Sequence, residues 1–207
     1  MKKQVLFLYL LLFSFLSLNA QTYATDFTAT DCDGSIHHLF SEIDNGKVVV
    51  IAWVMPCATC ITDPLNAYTA VQSYSASHQG QVLFYLADDY ANTSCQSLIT
   101  WANNYGMGNT VKFSDAAVDM GDYGQPGMPK VVVLGGTEHK VYFNQNSASQ
   151  GINTAIDQAL AESATNTTTI LWTNFVEVDF FQPKRPPIPE DACVIADYML
   201  MADHVKR

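Results

Sequence analysis

Between residues 21 and 170 the sequence has no arginine and only four lysines, against fourteen Asp and Glu, a balance of −10. So acidic a surface argues against nucleic acid and anionic membranes as partners. It argues equally against phosphate-rich ligands, which recruit arginine. It fits a protein kept soluble by its own charge. Beyond the apolar run at residues 5–18, no stretch is apolar for long enough to span a bilayer. There is no second C-x-x-C and no H-x-x-x-H, so a four-ligand zinc site lacks its second half. The five histidines are scattered: His37 and His38 fall at a strand end and His139 in a turn. No metal and no cofactor is expected, and no internal repeat is present.

The first twenty residues read as a targeting segment. Lys2 and Lys3 precede the apolar run, and Leu18-Asn19-Ala20 precedes a cut ahead of Gln21. This is the layout of a cleavable secretory signal. No cysteine follows the cut, so a lipid anchor on that residue is unavailable. The expectation is an exported protein, periplasmic or at the cell surface, with no stable membrane insertion once the signal is removed. Export implies an oxidising compartment in which disulfides persist. Of the five cysteines, Cys32, Cys57, Cys60, Cys95 and Cys193, at least one has no partner within the chain. Cys32 and Cys95 either bond to each other or Cys95 is a small core residue. The second reading is preferred here.

Two short strands are expected at 26–30 and 35–39, around an Asp33-Gly34 turn. Residues 47–54 (KVVVIAWV) form a continuous β-branched run, the mark of a strand buried on both faces. A helix follows over 60–78, with Ile61, Leu65, Tyr68 and Val71 at helical spacing. A strand at 81–87, a helix at 93–105, strands at 130–134 and 140–144, and a helix at 149–162 complete the pattern. The order predicts a mixed α/β sandwich with an N-terminal hairpin. The domain spans residues 21–162. Residues 163–169 (SATNTTT) read as a polar linker. Beyond them come a strand-like stretch at 170–181, a Pro-rich stretch at 183–189 and a short helix at 191–205, a tail with no assigned role.

Cys57-Ala58-Thr59-Cys60 sits where the buried strand hands over to the helix. Unpaired N–H groups and a partial positive charge at a helix start favour a thiolate. Cys57 is therefore expected to be acidic and nucleophilic. Cys60, one turn along, is placed to resolve a mixed disulfide formed by Cys57. Asp63 has two readings: a proton acceptor for Cys60, or an acid that complements the helix dipole.

Val48 to Pro64, VVVIAWVMPCATCITDP, resembles the active-site stretch of the thioredoxin superfamily, and within it the exported TlpA/ResA-type thiol–disulfide oxidoreductases of the redoxin group. Trp53 matches the first Trp of that family's motif, Asp63 its acidic position, and Pro64 its following proline. Pro56 replaces the second Trp, and Ile51 stands where many thioredoxins carry a buried Asp. Residues 26–39 resemble the family's N-terminal hairpin, and residues 127–143 its cis-proline, strand, turn and strand. The resemblance covers residues 24–162. It implies a thioredoxin-like fold with a central mixed sheet. It implies redox exchange at Cys57 and Cys60 and a substrate surface at Trp53, Pro56, Met128 and Pro129. It implies protein thiols or disulfides as partners, with a further redox protein upstream.

Three rivals remain open at this point. A peroxiredoxin-like peroxidase needs a Thr three positions before its reactive Cys and an Arg beside it. With Cys60 as that residue the Thr position holds Cys57, and no Arg lies between residues 21 and 170. A Cu(I) carrier could use Cys57 and Cys60 with Met55, Met128 and His139, although such carriers generally space their cysteines by three residues. A binding module that keeps the fold without turnover is a third possibility, given Pro56.

Overall fold

The computed structural model describes residues 23–124, 127–148 and 150–176, with side chains as far as residue 164. The expected signal, the Pro-rich stretch, the helix at 191–205 and Cys193 lie outside the described residues. The chain divides into two units, Met1–Ile170 and Leu171–Arg207, and of the second only the backbone of 171–176 is described.

The N-terminal hairpin forms as expected: β1 (Thr28–Thr30) pairs antiparallel with β2 (Ile36–His38). Its turn is built by Asp31, whose Oδ1 accepts hydrogen bonds from the backbone N–H of Asp33 (2.9 Å) and Ser35 (2.8 Å). Gly34 closes it at φ 88°, a conformation that costs a side chain energy and glycine little. A short helix that the sequence pattern did not reveal, α1 (Leu39–Asp44), follows directly and buries Leu39 and Ile43.

The central strand is β3 (Val48–Val54), with all seven residues buried. Then come α2 (Thr62–Ser73), β4 (Val82–Asp88), α3 (Cys95–Asn104), β5 (Val111–Phe113) and a 3₁₀ helix at Met120–Tyr123. The chain continues through β6 (Lys130–Gly135), β7 (Lys140–Gln145) and α4 (Ile152–Val176). The five-stranded sheet has the order β5-β4-β3-β6-β7. β3 runs parallel to β4, and β4 to β5, whereas β6 is antiparallel to both β3 and β7.

Strand residues alternate between two faces. Val48, Val50, Ala52 and Val54 of β3 pack with Val131 and Val133 under α2, α3 and the first half of α4. Val49, Ile51 and Trp53 pack with Val132 and Leu134 under α1 and the 3₁₀ helix. Both faces are covered, which is why β3 reads as unbroken apolar sequence rather than as alternation.

Three expectations are corrected. The helix expected over 60–78 begins only at Thr62 and ends at Ser73, leaving Cys57 to Cys60 in a turn ahead of it. Pro64 falls in its first turn, where the lost N–H has no helical partner in any case. The closing helix does not stop at Glu162. Ile152, Ala155, Ile156, Ala159 and Leu160 anchor it as a buried stripe. It then runs on through SATNTTT to Val176, where the sequence suggested a linker and then a strand. No Gly or Pro interrupts that run, and extending a formed helix adds one bond per residue ordered. Finally, Cys95 is not an unpaired core residue: it forms a disulfide with Cys32, their Cα atoms 5.2 Å apart.

Candidate active site

Three segments converge at one end of the central strands, and the strand register brings them there. Val54 ends β3 beside Asp88, the last residue of β4, and the N–H of Asp89 donates to the Val54 carbonyl oxygen at 3.1 Å. On the other side Trp53 pairs with Lys130, the first residue of β6, so Met128 and Pro129 enter at the same end of the strands. The Cys57–Cys60 turn leaves from the strand between them.

The turn is held from within and from outside. The Cys57 N–H donates to the Met55 carbonyl at 2.6 Å, and the Cys60 N–H to the Cys57 carbonyl at 3.4 Å. The indole Nε1 of Trp101, on α3, also donates to the Cys57 carbonyl, at 3.1 Å. Cys57 and Cys60 are free thiols, the first partly exposed and the second 8% exposed. The two thiols are driven apart in acidity. The hydrogen bond from Cys60 holds the Cys57 thiol below its ordinary value, with help from the Thr59 hydroxyl 3.3 Å away. Burial pushes the Cys60 thiol up. The hydrogen bond and charge of Cys57 push it further, and the charge of Asp89 adds to them. The acidity of Cys57 was expected from a helix start, but α2 begins five residues later and the neighbouring thiol is the leading cause.

The other residues singled out in the sequence fall into different places. Met128 and Pro129 are partly exposed beside the turn, and their peptide bond is cis. Asn146 Nδ2 donates to the carbonyls of Gly127 and Pro129 and fastens this segment to the end of β7. Pro56 is partly exposed and Met55 is half-exposed. Trp53 is fully buried, its Nε1 donating to the Val118 carbonyl at 2.9 Å and its ring against Tyr123. It supports the site from beneath and offers no surface for a substrate to touch. Asp63 Oδ1 accepts from the Ala148 N–H (2.7 Å) and the Ser147 hydroxyl (3.2 Å), tying the first turn of α2 to the segment before α4. His139 lies at the opposite end of the sheet, bonded to Asp44 and stacked on Phe40, away from the thiols. It cannot join them in a copper site.

Sequence reading missed three groups. Trp101 looked like a core residue of α3, and nothing local marks its bond to Cys57. Asp88 and Asp89 did carry a signal: two acids ending an apolar strand, at the end of the sheet where the C-x-x-C begins. Both are buried. Asp88 Oδ2 accepts from the N–H groups of Asn92 (2.7 Å) and Thr93 (2.9 Å), in a turn that holds Ala91 at φ 52°. Burial and the charge of Asp88 raise the Asp89 carboxyl above its ordinary value. Among the described residues, no group of three or more His, Cys, Asp or Glu side chains is arranged to hold a metal ion.

No protein-family model matches the sequence, and no curated protein matches it. Solved structures do. A candidate protein disulfide isomerase from Bacteroides thetaiotaomicron is 16% identical, covers 73% of this chain and 96% of its own, and superposes with a TM-score of 0.54. The thioredoxin domain of a thiol-disulfide oxidoreductase from Bacteroides vulgatus is 14% identical over 69% of this chain and 99% of its own, TM-score 0.51. A thiol:disulfide interchange protein from Chlorobium tepidum is 14% identical over 70% and 99%, TM-score 0.50. At such identities the likeness is one of fold, and the fold is thioredoxin-like.

Proposed function

We propose that this thioredoxin-fold protein is an enzyme of thiol–disulfide exchange, with Cys57 as the attacking thiol and Cys60 as the resolving one. The observation that carries the reading is the split between them. One thiol is partly exposed and acidified, and the other, three residues on, is buried and made less acidic. The exposed thiolate is the nucleophile that meets a substrate, and the buried thiol is kept from competing.

In the reducing direction the Cys57 thiolate attacks one sulfur of a substrate disulfide. The Cys57–substrate S–S bond forms, the substrate's own S–S bond breaks, and its second sulfur leaves as a thiolate. Cys60 then loses its proton and attacks Cys57 Sγ. The Cys57–Cys60 disulfide forms, and the first substrate sulfur leaves as a thiolate and is protonated. Two electrons pass from the pair to the substrate. The oxidising direction is the reverse. Met128, Pro129 and Pro56, partly exposed around Cys57, provide the surface along which a polypeptide substrate lies. Asp63 holds the α2 start against the rest of the domain, and so helps to keep Cys60 in place.

The substrates on this reading are thiols or disulfides of other proteins, and a second redox protein restores the pair after each turnover. The site of action is outside the cytoplasm, as the signal-like first twenty residues indicate. Among the described residues no helix is long and apolar enough to cross a membrane.

Alkylation of the reduced protein across a pH series, read residue by residue by mass spectrometry, tests the assignment together with insulin reduction by a dithiol. Cys57 is expected to react first and at lower pH, and the Cys57→Ser variant to lose turnover. Earlier reaction of Cys60, or insulin reduction no faster than the dithiol alone, would overturn it.

A further inference from the structure

The four lysines between residues 21 and 170 are all kept away from the surface around Cys57. Lys47 and Lys140 lie at the far end of the strands, paired with Glu42 and with Glu138 and Glu162. Lys112 and Lys130 are buried, the first with its ammonium spent on the Gly108 and Thr110 carbonyls. Among the described side chains no exposed lysine or arginine borders the thiols. Acids do. A cleft of about 220 Å³ opens beside the site, with Asp89, Asp115 and Asp119 on its walls, Tyr90 at its rim and Val118 at its floor.

Two bonds tie this cleft to the strand that carries the C-x-x-C. The Asp89 N–H donates to the Val54 carbonyl, and the Trp53 indole to the Val118 carbonyl. Val54 lies three residues before Cys57, a reach of about 10 Å at most. The carboxylates are set before any ligand arrives. Asp115 accepts from the backbone N–H of Thr30 (3.1 Å) and Ala117 (3.0 Å), and Asp119 from that of Gly121 (2.7 Å). Asp89 is only 8% exposed, yet its carboxylate accepts from backbone N–H groups alone, that of Tyr90 among them at 3.1 Å. No side chain among the described residues donates to any of the three. A carboxylate so buried, with no cation or hydroxyl on it, is costly, and a ligand cation relieves that cost. The charge is not gathered for a metal ion but spread along a cleft with room for a side chain. Two exposed apolar groups stand by: Tyr90 at 65%, and Met55 at 50%, two residues before Cys57. The Tyr90 ring adds a π face of the kind that attracts cations.

We infer that the cleft walled by Asp89, Asp115 and Asp119 receives a lysine or arginine side chain of the substrate polypeptide, so that the enzyme selects disulfides whose cysteine lies two or three residues from a basic residue. The inference rests on the exchange reading above and names its substrate class. An extended chain advances about 3.3 Å per residue, so two or three residues cover most of the distance from Cys57 to the cleft. The long stem of a lysine or arginine covers the rest. Met55 and Tyr90 meet the apolar part of the same segment. Because the charge at this end of the sheet has one sign, it also speeds the encounter with a basic segment and repels an acidic one.

The test is a single turnover of the reduced full chain carrying Cys193→Ser. The substrates are three synthetic peptide disulfides, alike except for Lys, Gln or Glu two residues from the cysteine. Each is reduced to two thiols as the Cys57–Cys60 pair is oxidised, and acid-quenched samples give the rates. At an ionic strength of about 0.01 M, where charges act over roughly 30 Å, the Lys peptide is expected to react about tenfold faster than the Glu peptide, with Gln between them. At about 1 M salt the ratio should fall towards one. Moving the lysine to the far end of the peptide should remove most of its advantage. The Asp115→Asn, Asp119→Asn double variant should lower the Lys-to-Glu ratio at least about threefold. The Asp44→Asn, Glu138→Gln double variant, which removes as much charge at the opposite end of the strands, should keep the ratio within about twofold. The ratio is taken within one protein, so a variant that is partly unfolded still reports it. Equal rates for the Lys and Glu peptides at low salt overturn the inference, as does a ratio lowered equally by both double variants, which would make net charge the cause. If Asp115→Asn, Asp119→Asn does not fold at all, the position of the lysine decides: an advantage that vanishes with distance supports the cleft, and one that does not overturns it. Failure to reduce any of the three peptides would instead sink the exchange reading itself, so the two failures are distinguishable.

Discussion

The indole N–H of Trp101 reaches out of α3 and donates to the carbonyl oxygen of Cys57. Trp101 is 7% exposed, so the donor is largely buried, and the bond fixes the turn at the residue whose thiol meets the substrate. It also explains how the turn stays ordered although α2 begins only at Thr62. The helix that grips it is the neighbouring one, not its own. Trp101→Phe keeps most of the packing and removes the donor. It is expected to cost about 1 kcal/mol, the usual worth of one such bond. It should also change the rate at which Cys57 is alkylated, measured on the folded protein at fixed pH. An unaltered alkylation rate would mean that the bond only packs the helix.

The acidity of Cys57 depends first on Cys60 and then on Thr59. Removing Cys60 as donor raises the Cys57 pKa, so its thiolate appears only at higher pH. The alkylation profile of Cys60→Ala is therefore expected to shift to the alkaline side of the unsubstituted protein. Cys60→Ser, which keeps a hydroxyl donor, should shift less. Thr59→Val, which removes only the second donor, should shift in the same direction by a smaller amount. Coincident profiles for all four proteins would return the credit to the helix start.

The Cys32–Cys95 disulfide joins the hairpin turn to the first residue of α3 across 63 positions. In the chain-entropy account, closing a loop of that size stabilises by about 4 kcal/mol. The Cys32→Ser, Cys95→Ser double variant is expected to melt about 10 °C lower, with Cys57 still forming mixed disulfides. Thiol counting on the native protein should find Cys32 and Cys95 oxidised. Loss of exchange in a variant that remains folded would show that this bridge belongs to the chemistry rather than to the scaffold.

What could be read in the sequence and what could not follow a physical division. β3 and the C-x-x-C after it were legible because unbroken burial and a two-residue spacing are local facts. The identity of the cis X-Pro bond at Met128-Pro129 was legible through its motif, although a proline before a strand has an ordinary trans reading too. The Cys32–Cys95 pairing stood as one of two readings that the sequence could not decide between, since only the fold brings residues 63 apart together. The burial of Trp53 was half-legible: a Trp in a two-faced buried strand is a core residue first, and the motif drew attention away from that. Asp88 and Asp89 were overlooked because acids at a strand end look like solvated punctuation until the register with Val54 places them. The length of α4 was missed because Ser, Thr and Asn have weak helix propensity, and propensity does not count a helix already nucleated by its buried half.

The C-terminal boundary follows from where α4 stops being buried. Ile152, Ala155, Ile156, Ala159 and Leu160 lie in the core, and Glu162 accepts from Lys140 (2.9 Å) and Tyr142 (2.6 Å) on β7. Ser163 is the last buried residue among the described side chains. A chain ending at residue 170, where the first unit ends, keeps all of these. It is expected to melt within about 3 °C of the full chain and to exchange disulfides at the same rate. A chain ending at residue 158 removes Ala159, Leu160 and Glu162. Losing the burial of Leu160 alone costs about 2 kcal/mol, and β7 loses its acceptor, so this shorter chain should melt well below the longer one. Thermal melts of the three proteins side by side provide the check. A fall of about 10 °C on truncation at residue 170 would show that residues 171–207 contribute to the core, and that the domain does not end within α4.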